Sequence, residues 1–309
     1  MDSQEATLEH APGIVASEKP LIYWAVERER IRLKKEAGLP PPWTEDRILR
    51  QYRFCNVRRR DDKVSRWLCD RVLQEFHIET NLRNFLLFSA FCRWVNWPPT
   101  INAILDEGMF KIGRPMDWTA IGSRVDELQR TGVKAWTGAY MVRAKPGDGD
   151  RGKGRFVAED VIEKSLTPVL DRLVMEVKEP HRSRQVVWET LEGCLNWGSF
   201  MAGQVVADWG YTSLLKDAYD TNTWAPMGPG SKRGLNRLLG RPVKHKITQM
   251  EWESLLPALH IDLLAALGPG YEDLTLHDVQ NCLCEVDKYL RVQYGEGRPR
   301  ATYKSETSF

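Results

Sequence analysis

The sequence predicts a mainly α-helical protein, built as one compact multi-helix domain with two lobes. Apolar residues recur every three or four positions over most of the chain, which is the spacing of an amphipathic helix. Few segments alternate between apolar and polar residues, and only residues 136–143 are a candidate for an extended strand. Clusters of Gly and Pro separate the helical segments, and no internal repeat is visible.

The N-terminal half is predicted to contain five helices after a polar segment, residues 1–18, that we expect to be disordered. The first helix covers residues 21–36 and ends at residues 38–42 (GLPPP), because neither Gly nor Pro continues a helix. Thr44 is the expected N-cap of a second helix that ends at Tyr52. The other three cover residues 61–75, 81–95 and 117–130. The segment 81–95 is nearly all apolar, so we expect it to be central and buried, with Trp97-Pro98-Pro99 ending it.

The C-terminal half continues the helical pattern after a Gly-rich polar loop at residues 145–155. Its predicted helices cover residues 158–178, 184–197, 199–216, 231–239, 249–267 and 275–292. We therefore expect a single helical domain over residues 19–294, followed by a tail at residues 295–309.

Composition excludes several classes of protein. The 309 residues carry 44 Lys and Arg against 42 Asp and Glu, so a net charge of +2 rules out a histone-like polycation, and any basic surface is local. No apolar run reaches the roughly 18 residues of a membrane-spanning helix, and the N-terminus lacks the apolar core of a signal peptide, so we expect a cytoplasmic protein without a membrane partner. The six cysteines include no Cys-x-x-Cys pair, which favours reduced thiols.

Several enzyme signatures are absent from the sequence. It contains no Gly-x-x-x-x-Gly-Lys-Ser/Thr motif of P-loop kinases and no Gly-x-Ser-x-Gly motif of hydrolases. The His-x-Glu and Cys-x-x-Cys pair of zinc deaminases is also missing. The histidines are scattered without ligand spacing, so no metal site is expected.

The first segment with a chemical signal is strongly basic. Residues 47–66 hold eight Lys and Arg against Asp61 and Asp62, and this local charge of +6 suits phosphate groups. Tyr52 and Phe54, interleaved with arginine, favour a binding surface. The alternative is a solvated face with ion pairs to other helices. The candidate binding residues are Arg53, Asn56, Arg58 and Arg59.

The second segment, residues 224–235, places a Gly-x-Gly turn before a helix. Two glycines permit a tight turn and a close backbone approach, and the free N–H groups of the helix would face a phosphate. Residues 232–246 add six Lys and Arg and no acid. The segment resembles the hairpin of helix-hairpin-helix DNA-binding proteins, which include many DNA glycosylases; an ordinary loop is the alternative. The candidate DNA-binding residues are Gly228, Gly230, Ser231, Lys232 and Arg233.

The third segment is the last helix, which Thr275 and Asp278 open as a capping box. Five apolar residues form one seam of this helix: Leu276, Val279, Leu283, Val286 and Leu290. On the opposite side, at the spacing of one helical turn, lie Asn281, Glu285 and Lys288, while Asp287 is at the edge of the seam. The alternative is an ordinary amphipathic helix with a surface Glu–Lys pair.

A fourth segment, residues 198–208, is rich in small residues, which mark close helix packing. Gln204 and Asp208 lie one turn apart within it, and this spacing favours a common cleft. Packing alone is the alternative.

Two strings carry a resemblance to a known family: RFCNVRRRDDKVSRW at residues 53–67 and LCEVDKY at residues 283–289. With weaker matches over about residues 20–303, they resemble the phage amino acid:DNA transferases, or α-glutamyl/putrescinyl thymine pyrophosphorylases. That family is related to the helical domain of 5-hmdU DNA kinases and to helix-hairpin-helix DNA glycosylases. The resemblance implies the same multi-helix fold.

The resemblance also implies a reaction in a phage-infected bacterial cell. A separate DNA kinase converts 5-hydroxymethyluracil in double-stranded DNA to a pyrophosphate ester. The transferase then displaces pyrophosphate with an amino acid or another amine. Lacking a P-loop, this sequence resembles the transferase. No cofactor is implied, although the hairpin leaves room for a monovalent cation.

The resemblance gives the candidate residues their roles. The target base must leave the duplex stack, and arginines would neutralise the departing pyrophosphate. A carboxylate would take the proton of the attacking ammonium group, with Glu285, Asp287 and Asp208 as candidates beside Lys288. A covalent adduct through Cys55 or Cys284 is a less favoured alternative. The substrate-binding candidates are Arg53, Asn56, Arg58, Arg59, Gln204, Asn281 and Tyr289.

Two alternative functions remain open at this point. Helix-hairpin-helix glycosylases place a catalytic Asp beyond the hairpin, but residues 231–250 contain no Asp or Glu, which disfavours base excision. A non-catalytic DNA-binding module would not need Asn281, Glu285 and Lys288 to converge on a pocket.

Overall fold

The computed structural model describes residues 19–138, 152–299 and 301–303, and these residues are mainly α-helical. No β-strand occurs among them, and an isolated antiparallel bridge joins Tyr52 to Thr302. The mainly α prediction is confirmed. The segment 1–18 predicted to be disordered lies outside the described residues, as do most of the candidate strand at 136–143 and of the loop at 145–155.

The chain divides into two compact units. Unit 1 contains the described residues up to Asp62 and those from Asn222 onward, whereas unit 2 runs from Lys63 to Thr221. The single domain at residues 19–294 and the tail at 295–309 stay predictions.

The helices have the following bounds in chain order. Unit 1 begins with α1 (Pro20–Glu36) and α2 (Arg47–Gln51). Unit 2 contains α3 (Lys63–Arg71), α4 (Glu75–Val95), α5 (Pro98–Asp106), α6 (Trp118–Arg130), α7 (Lys153–Arg155), α8 (Lys164–Leu166), α9 (Leu170–Lys178), α10 (Arg184–Glu192) and α11 (Ser199–Trp209). Unit 1 resumes with α12 (Pro229–Leu238), α13 (Gln249–Leu267) and α14 (Leu276–Gln293). A π-helical segment, Phe156–Glu163, joins α7 to α8, and 3₁₀ turns cover Arg59–Asp61 and Thr167–Val169.

Most predicted helices are confirmed, but the helices predicted at residues 184–197 and 199–216 end earlier, at Glu192 and Trp209, and the start of α2 was predicted wrongly. Asp46, not Thr44, is the N-cap, because its Oδ1 accepts hydrogen bonds from the N–H groups of Ile48 and Leu49 at 2.8 and 3.0 Å. Thr44 instead accepts a bond from the Asp46 N–H at 3.1 Å. A carboxylate is the stronger acceptor at the positive end of a helix, which explains why it takes this position.

Helix α5 was not predicted. Asn96 ends α4 in the left-handed region, with φ at 48°. Pro98 then opens α5 rather than only terminating α4, because the first turn of a helix does not need the N–H that proline lacks.

The core of unit 2 is built around α4. As predicted, α4 is buried after a kink at Asn81, where φ and ψ are −160° and 59°. Phe85, Phe88 and Phe91 are at most 2% exposed and pack into the same apolar cluster as α6, α10 and α11.

The core of unit 1 is built around α14. All five residues of its predicted apolar seam are buried and cluster with apolar residues of α1 and α13. Because this seam faces the core, the polar residues Asn281, Glu285 and Lys288 lie on the opposite side of α14. No helix in the described part of the chain has the length and apolar character needed to cross a bilayer.

Candidate functional site

A polar cluster in unit 1 joins α14 to the predicted basic segment. The backbone N–H of Cys55 donates to Glu285 Oε2 at 2.9 Å, and Lys288 Nζ lies 2.6 Å from the same oxygen. Lys288 also donates to the Arg53 carbonyl oxygen at 3.0 Å and lies 4.6 Å from the centre of the Phe54 ring. We call Cys55, Glu285 and Lys288 the α14 cluster. It brings together two of the sequence segments that were predicted to carry function.

The first turn of α14 fixes this arrangement. The predicted capping box is confirmed, because the Thr275 N–H donates to Asp278 Oδ2 at 2.9 Å. Asp278 Oδ1 accepts from the Arg59 backbone N–H at 2.8 Å. Burial raises the pKa of the Asp278 carboxyl, while the hydrogen bonds from Arg59 and Thr275 act in the opposite direction. One carboxylate therefore caps α14 and fastens the basic segment to it.

Asn56 also holds the basic segment in shape. Its backbone N–H donates to Asp62 Oδ1 and its side-chain Nδ2 donates to the Asp61 carbonyl oxygen, both at 2.7 Å. The side-chain Oδ1 is buried and accepts no hydrogen bond from the described residues. On α14, the buried Nδ2 of Asn281 likewise has no partner among them. An unpaired buried amide atom is costly, because it has lost its hydrogen bonds to water.

The three candidate bases differ in how their oxygens are used. Both oxygens of Asp287, which is 2% exposed, are taken: Arg233 Nε lies 2.8 Å from Oδ2 and Arg237 Nε lies 2.9 Å from Oδ1. This carboxylate therefore ties α12 to α14 in unit 1.

Asp208 lies in unit 2 and is also fully paired. Its Oδ2 accepts from Arg93 Nε at 2.6 Å and its Oδ1 accepts from Arg93 Nη2, with both residues at most 3% exposed. Gln204, one turn earlier on α11, is buried as well. The close-packing alternative therefore describes this segment better than an open cleft.

Glu285 differs from both, because one of its oxygens has no hydrogen-bond donor. Its two contacts both involve Oε2, and Oε1 accepts no hydrogen bond within the described ranges. Of the three candidates, Glu285 is the one with an oxygen that accepts no hydrogen bond from the described residues.

Arg58 forms ion pairs with two carboxylates. Its Nε lies 3.0 Å from Asp61, and its Nη1 contacts Asp273 at 3.1 Å and the Gly270 carbonyl oxygen at 3.0 Å. The guanidinium also lies over the ring of Tyr271. These ion pairs compete with a pyrophosphate and favour the ion-pair alternative, while the binding role of Arg58 stays a prediction. Arg53 is exposed.

Tyr289 is similarly engaged. Its hydroxyl donates to Asp46 Oδ2 at 2.7 Å, and the Tyr23 hydroxyl donates to the same oxygen at 3.0 Å. Burial is the main cause that raises the pKa of Tyr23 to about 12. These bonds hold α14 against α1 and α2, which is a structural role.

The predicted hairpin has a different structure. Residues 210–228 contain no helix, so no helix directly precedes the turn. A β-carbon at Gly230 would lie 3.0 Å from Cys284 Sγ, so this glycine makes room for α14 rather than presenting its backbone to a ligand. Ser231 is fully buried, and its Oγ accepts from the Gly228 N–H at 3.1 Å. Lys232 is half-buried, and DNA binding by this segment stays a prediction.

The region of the chain that contains this site matches known proteins. The family model described as "5-hmdU DNA kinase, helical domain" matches residues 17–298. The chain belongs to this family. A 5-hmdU DNA kinase of Bacillus phage SP10 is 26% identical over 284 residues, which cover 86% of this chain and 43% of the relative. The chain thus spans less than half the length of that curated relative. No solved structure matches the chain significantly.

The match to the 5-hmdU DNA kinase helical domain covers all the helices of both units. The predicted relation to that helical domain is confirmed. The α14 cluster lies within the matched region, as do both basic segments.

Burial disfavours a cysteine nucleophile in this helical domain. It raises the pKa of the Cys55 thiol well above its usual value and that of Cys284 to about 11. Both thiols therefore stay protonated at neutral pH, whereas the thiolate is the nucleophile. Among the described residues, no group of three or more His, Cys, Asp or Glu is arranged to hold a metal ion.

Sequence reasoning missed two basic residues of α1. Arg28 Nε donates to the Cys55 carbonyl oxygen at 3.0 Å, next to the α14 cluster. Lys35 lies between the rings of Trp43 and Tyr303. Their spacing of seven residues, which puts them on one face of α1, was the available signal.

Proposed function

We propose that this chain modifies DNA in the making of hypermodified thymines. An amino acid or another amine would be attached to the 5-methylene carbon of pyrophosphorylated 5-hydroxymethyluracil. Membership of the 5-hmdU DNA kinase helical-domain family supports a DNA substrate of this type, because the relative named above is a kinase of 5-hmdU in DNA. The residues of this helical domain contain no P-loop motif, so we do not assign phosphate transfer to them.

The reaction needs three contributions from the protein. The amine nitrogen forms a bond to the methylene carbon while the bond from that carbon to the pyrophosphate oxygen breaks. The ammonium group must lose protons, and the leaving group must be neutralised as its charge develops. The base must also leave the duplex stack to reach any buried group.

The observation that carries the proposal is the unpaired Oε1 of Glu285. The Cys55 N–H and Lys288 hold Oε2 and thereby fix the carboxylate, while Oε1 is left to accept a proton from the amine. Lys288 is a positioning residue, and the unpaired amides of Asn56 and Asn281 are proposed to bind the substrate. Arg53 and Arg59 are proposed to bind pyrophosphate. Asp287, Asp208 and Arg58 are engaged elsewhere.

Double-stranded DNA, an amine co-substrate and a preceding kinase are the proposed partners. The site of action would be an infected bacterial cell, since the relative is a Bacillus phage protein. No cofactor enters the proposed reaction, and a monovalent cation at the predicted hairpin, residues 224–235, stays a prediction.

The test is a nucleoside analysis of treated DNA. Purified full-length chain is incubated with kinase-treated 5-hydroxymethyluracil DNA and a mixture of amino acids and amines, and the nucleosides are identified by mass spectrometry. We expect an aminated thymidine that is absent when the kinase is omitted. An exposed carboxylate variant, Glu253→Gln on α13, serves as the matched control and should react like the wild type.

Other products would contradict the proposal. Loss of the base with formation of abasic sites would indicate a glycosylase. Tight DNA binding without any new nucleoside would indicate a non-catalytic module.

A further inference from the structure

Lys35 has an unusual environment for a lysine. Its Nζ lies 4.6 Å from the centre of the Trp43 ring and 4.2 Å from that of the Tyr303 ring. The residue is half-buried, and no carboxylate of the described chain lies within 4.0 Å of its ammonium group. The ammonium group is thus enclosed by aromatic rings and is not neutralised.

Two guanidinium groups add positive charge around Lys35. Arg28 lies two turns earlier on the same face of α1, and Arg53 lies next to the α14 cluster. Burial and the charges of Arg28 and Arg53 lower the pKa of Lys35 to about 8. Like charges destabilise one another, so an anion bound by these side chains would be stabilised.

The guanidinium group of Arg28 is held in place, but not all of its N–H groups have a hydrogen-bond acceptor. Its Nε is fixed by the Cys55 carbonyl oxygen, whereas its buried Nη1 has no hydrogen-bond partner in the described ranges. Burial lowers the pKa of the Arg28 guanidinium, while the carboxylates of Asp62, Glu29 and Glu285 act in the opposite direction. None of them lies within 4.0 Å of it. A buried guanidinium nitrogen without an acceptor is costly, and a ligand oxygen would remove that cost.

We propose that Arg28, Lys35 and Arg53 form a subsite that binds a phosphate group. Guanidinium groups bind phosphate through paired hydrogen bonds, and an ammonium group adds a point charge. Trp43 and Tyr303 keep the ammonium group of Lys35 in position. This subsite replaces Arg58, whose guanidinium is already paired, as the centre of phosphate binding.

Two sources of phosphate fit this chemistry: pyrophosphate and the backbone of DNA. The subsite rests on the proposed function only for the identity of the phosphate compound, because phosphate binding can be measured without any transfer reaction. A protein that transfers no amine could therefore still bind phosphate at this subsite. A protein that binds no phosphate there could still transfer an amine.

The test is a titration of the full-length chain with inorganic pyrophosphate, and separately with a short unmodified duplex, at low and matched ionic strength. Calorimetry should show that Lys35→Gln and Arg53→Gln bind at least one of these ligands about tenfold more weakly than the wild type, since each removes a charged contact. Lys35→Arg keeps the charge and should retain most of the affinity. Lys216→Gln removes an exposed lysine of unit 2 and should bind like the wild type.

The outcomes separate the sources. A loss for pyrophosphate alone assigns the subsite to the leaving group, a loss for the duplex alone assigns it to the DNA backbone, and either supports the subsite. Unchanged affinity of both variants for both ligands would overturn it. Melting curves show whether each variant folds, and the exposed position of Arg53 provides a folded variant if Lys35→Gln is unstable.

A second measurement follows Lys35 directly. An amine-reactive ester at about pH 8 labels lysines through their neutral form, which is well populated in a lysine whose pKa is about 8. Bound pyrophosphate favours the ammonium form and should protect Lys35 from labelling, as seen by peptide mass spectrometry. The short duplex should protect Lys35 in the same way if the subsite binds the DNA backbone. Equal labelling with pyrophosphate, with the duplex and with sodium chloride of the same ionic strength would contradict the subsite.

Discussion

Gly234 on α12 lies directly against the backbone of Leu283 on α14, and a β-carbon at position 234 would stand 2.0 Å from the Leu283 carbonyl oxygen. Only glycine permits this approach. The same helix packing brings Arg233 and Arg237 of α12 to Asp287 of α14. The packing of two helices thus determines where α14 presents Glu285.

We expect Gly234→Ala to lower the free energy of unfolding by about 3 kcal/mol, near the upper end for overpacking, because the obstacle is backbone and cannot rotate away. Urea unfolding measures this change. Gly138→Ala, where a β-carbon would meet nothing within 4 Å, is the matched control and should be close to neutral. A Gly234→Ala protein as stable as the wild type would contradict the close approach.

Gly230 gives a related but milder prediction. The atom that its β-carbon would meet is Cys284 Sγ at 3.0 Å, which belongs to a side chain. Gly230→Ala should therefore cost about 1 kcal/mol, and Cys284→Ala should cancel part of that cost in the double variant. Unfolding of the two single variants and the double variant measures the coupling. Weaker DNA binding by a Gly230→Ala protein of unchanged stability would instead support the predicted contact with DNA.

The helices were predictable because their apolar spacing is a local property. The seam of α14 and the buried α4 follow from periodicity alone. Helix α5 was missed because proline is common both after the end of a helix and in the first turn of the next one, where Pro98 lies. The sequence provides no means to choose between them without the surrounding packing.

Contacts within the site were predictable only between residues of the same helix. Glu285 and Lys288 share a helical face, so their pairing followed from spacing. The partners of Arg58 and Asp287 lie far away in the sequence, at Asp273 and at Arg233 and Arg237. Such pairs depend on tertiary packing, and a count of charges cannot separate a paired arginine from one that is available to a ligand.

Alkaline pH should destabilise the protein through Tyr23. The folded state raises its pKa to about 12, mainly by burial and by its hydrogen bond to Asp46, whereas tyrosine in an unfolded chain ionises near pH ~10. Between these values the unfolded state has lost a proton that the folded state keeps, so the free energy of unfolding falls as pH rises. Burial and Asp46 also raise the pKa of Tyr289.

Urea unfolding at pH values from about 9 to 12 tests this dependence. Tyr23→Phe should show a shallower fall than the wild type. Tyr219→Phe, which alters an exposed tyrosine, should keep the wild-type slope. Identical slopes for all three proteins would show that the bond to Asp46 does not control the titration of Tyr23.

Binding to duplex DNA should weaken steeply with salt, because phosphate contacts release counterions. In residues 232–246 the three arginines already pair with Asp287, Glu296 or Glu251. The lysines of this segment make no ion pair within the described ranges and are expected to bind phosphates: Lys232, Lys244 and Lys246. Substituting all three by Gln should reduce the slope of log K against log salt by up to about 0.9 for each lysine that binds a phosphate in the wild type.

Fluorescence anisotropy across a salt series measures these slopes. Lys216→Gln, at an exposed position of unit 2, is the control and should keep the wild-type slope. Affinity for DNA at low salt no better than for an acidic protein would contradict a DNA substrate altogether.

The final prediction separates chemistry from stability on α14. Glu285→Gln keeps an acceptor for the Cys55 N–H but removes the proton acceptor at Oε1, so amine incorporation should slow by about 10²–10⁴-fold. In this variant Lys288 keeps its hydrogen bond to the Arg53 carbonyl oxygen, so the protein should fold and bind DNA normally. Asp287→Asn should instead lower the stability and leave the rate of amine incorporation unchanged. It leaves the nearly buried Arg237 with one carboxylate fewer and should cost about 3 kcal/mol of stability, while the folded fraction reacts at the normal rate. Single-turnover incorporation followed by nucleoside mass spectrometry, beside urea unfolding of the same samples, measures both quantities. Normal turnover by Glu285→Gln would show that Glu285 is not the base.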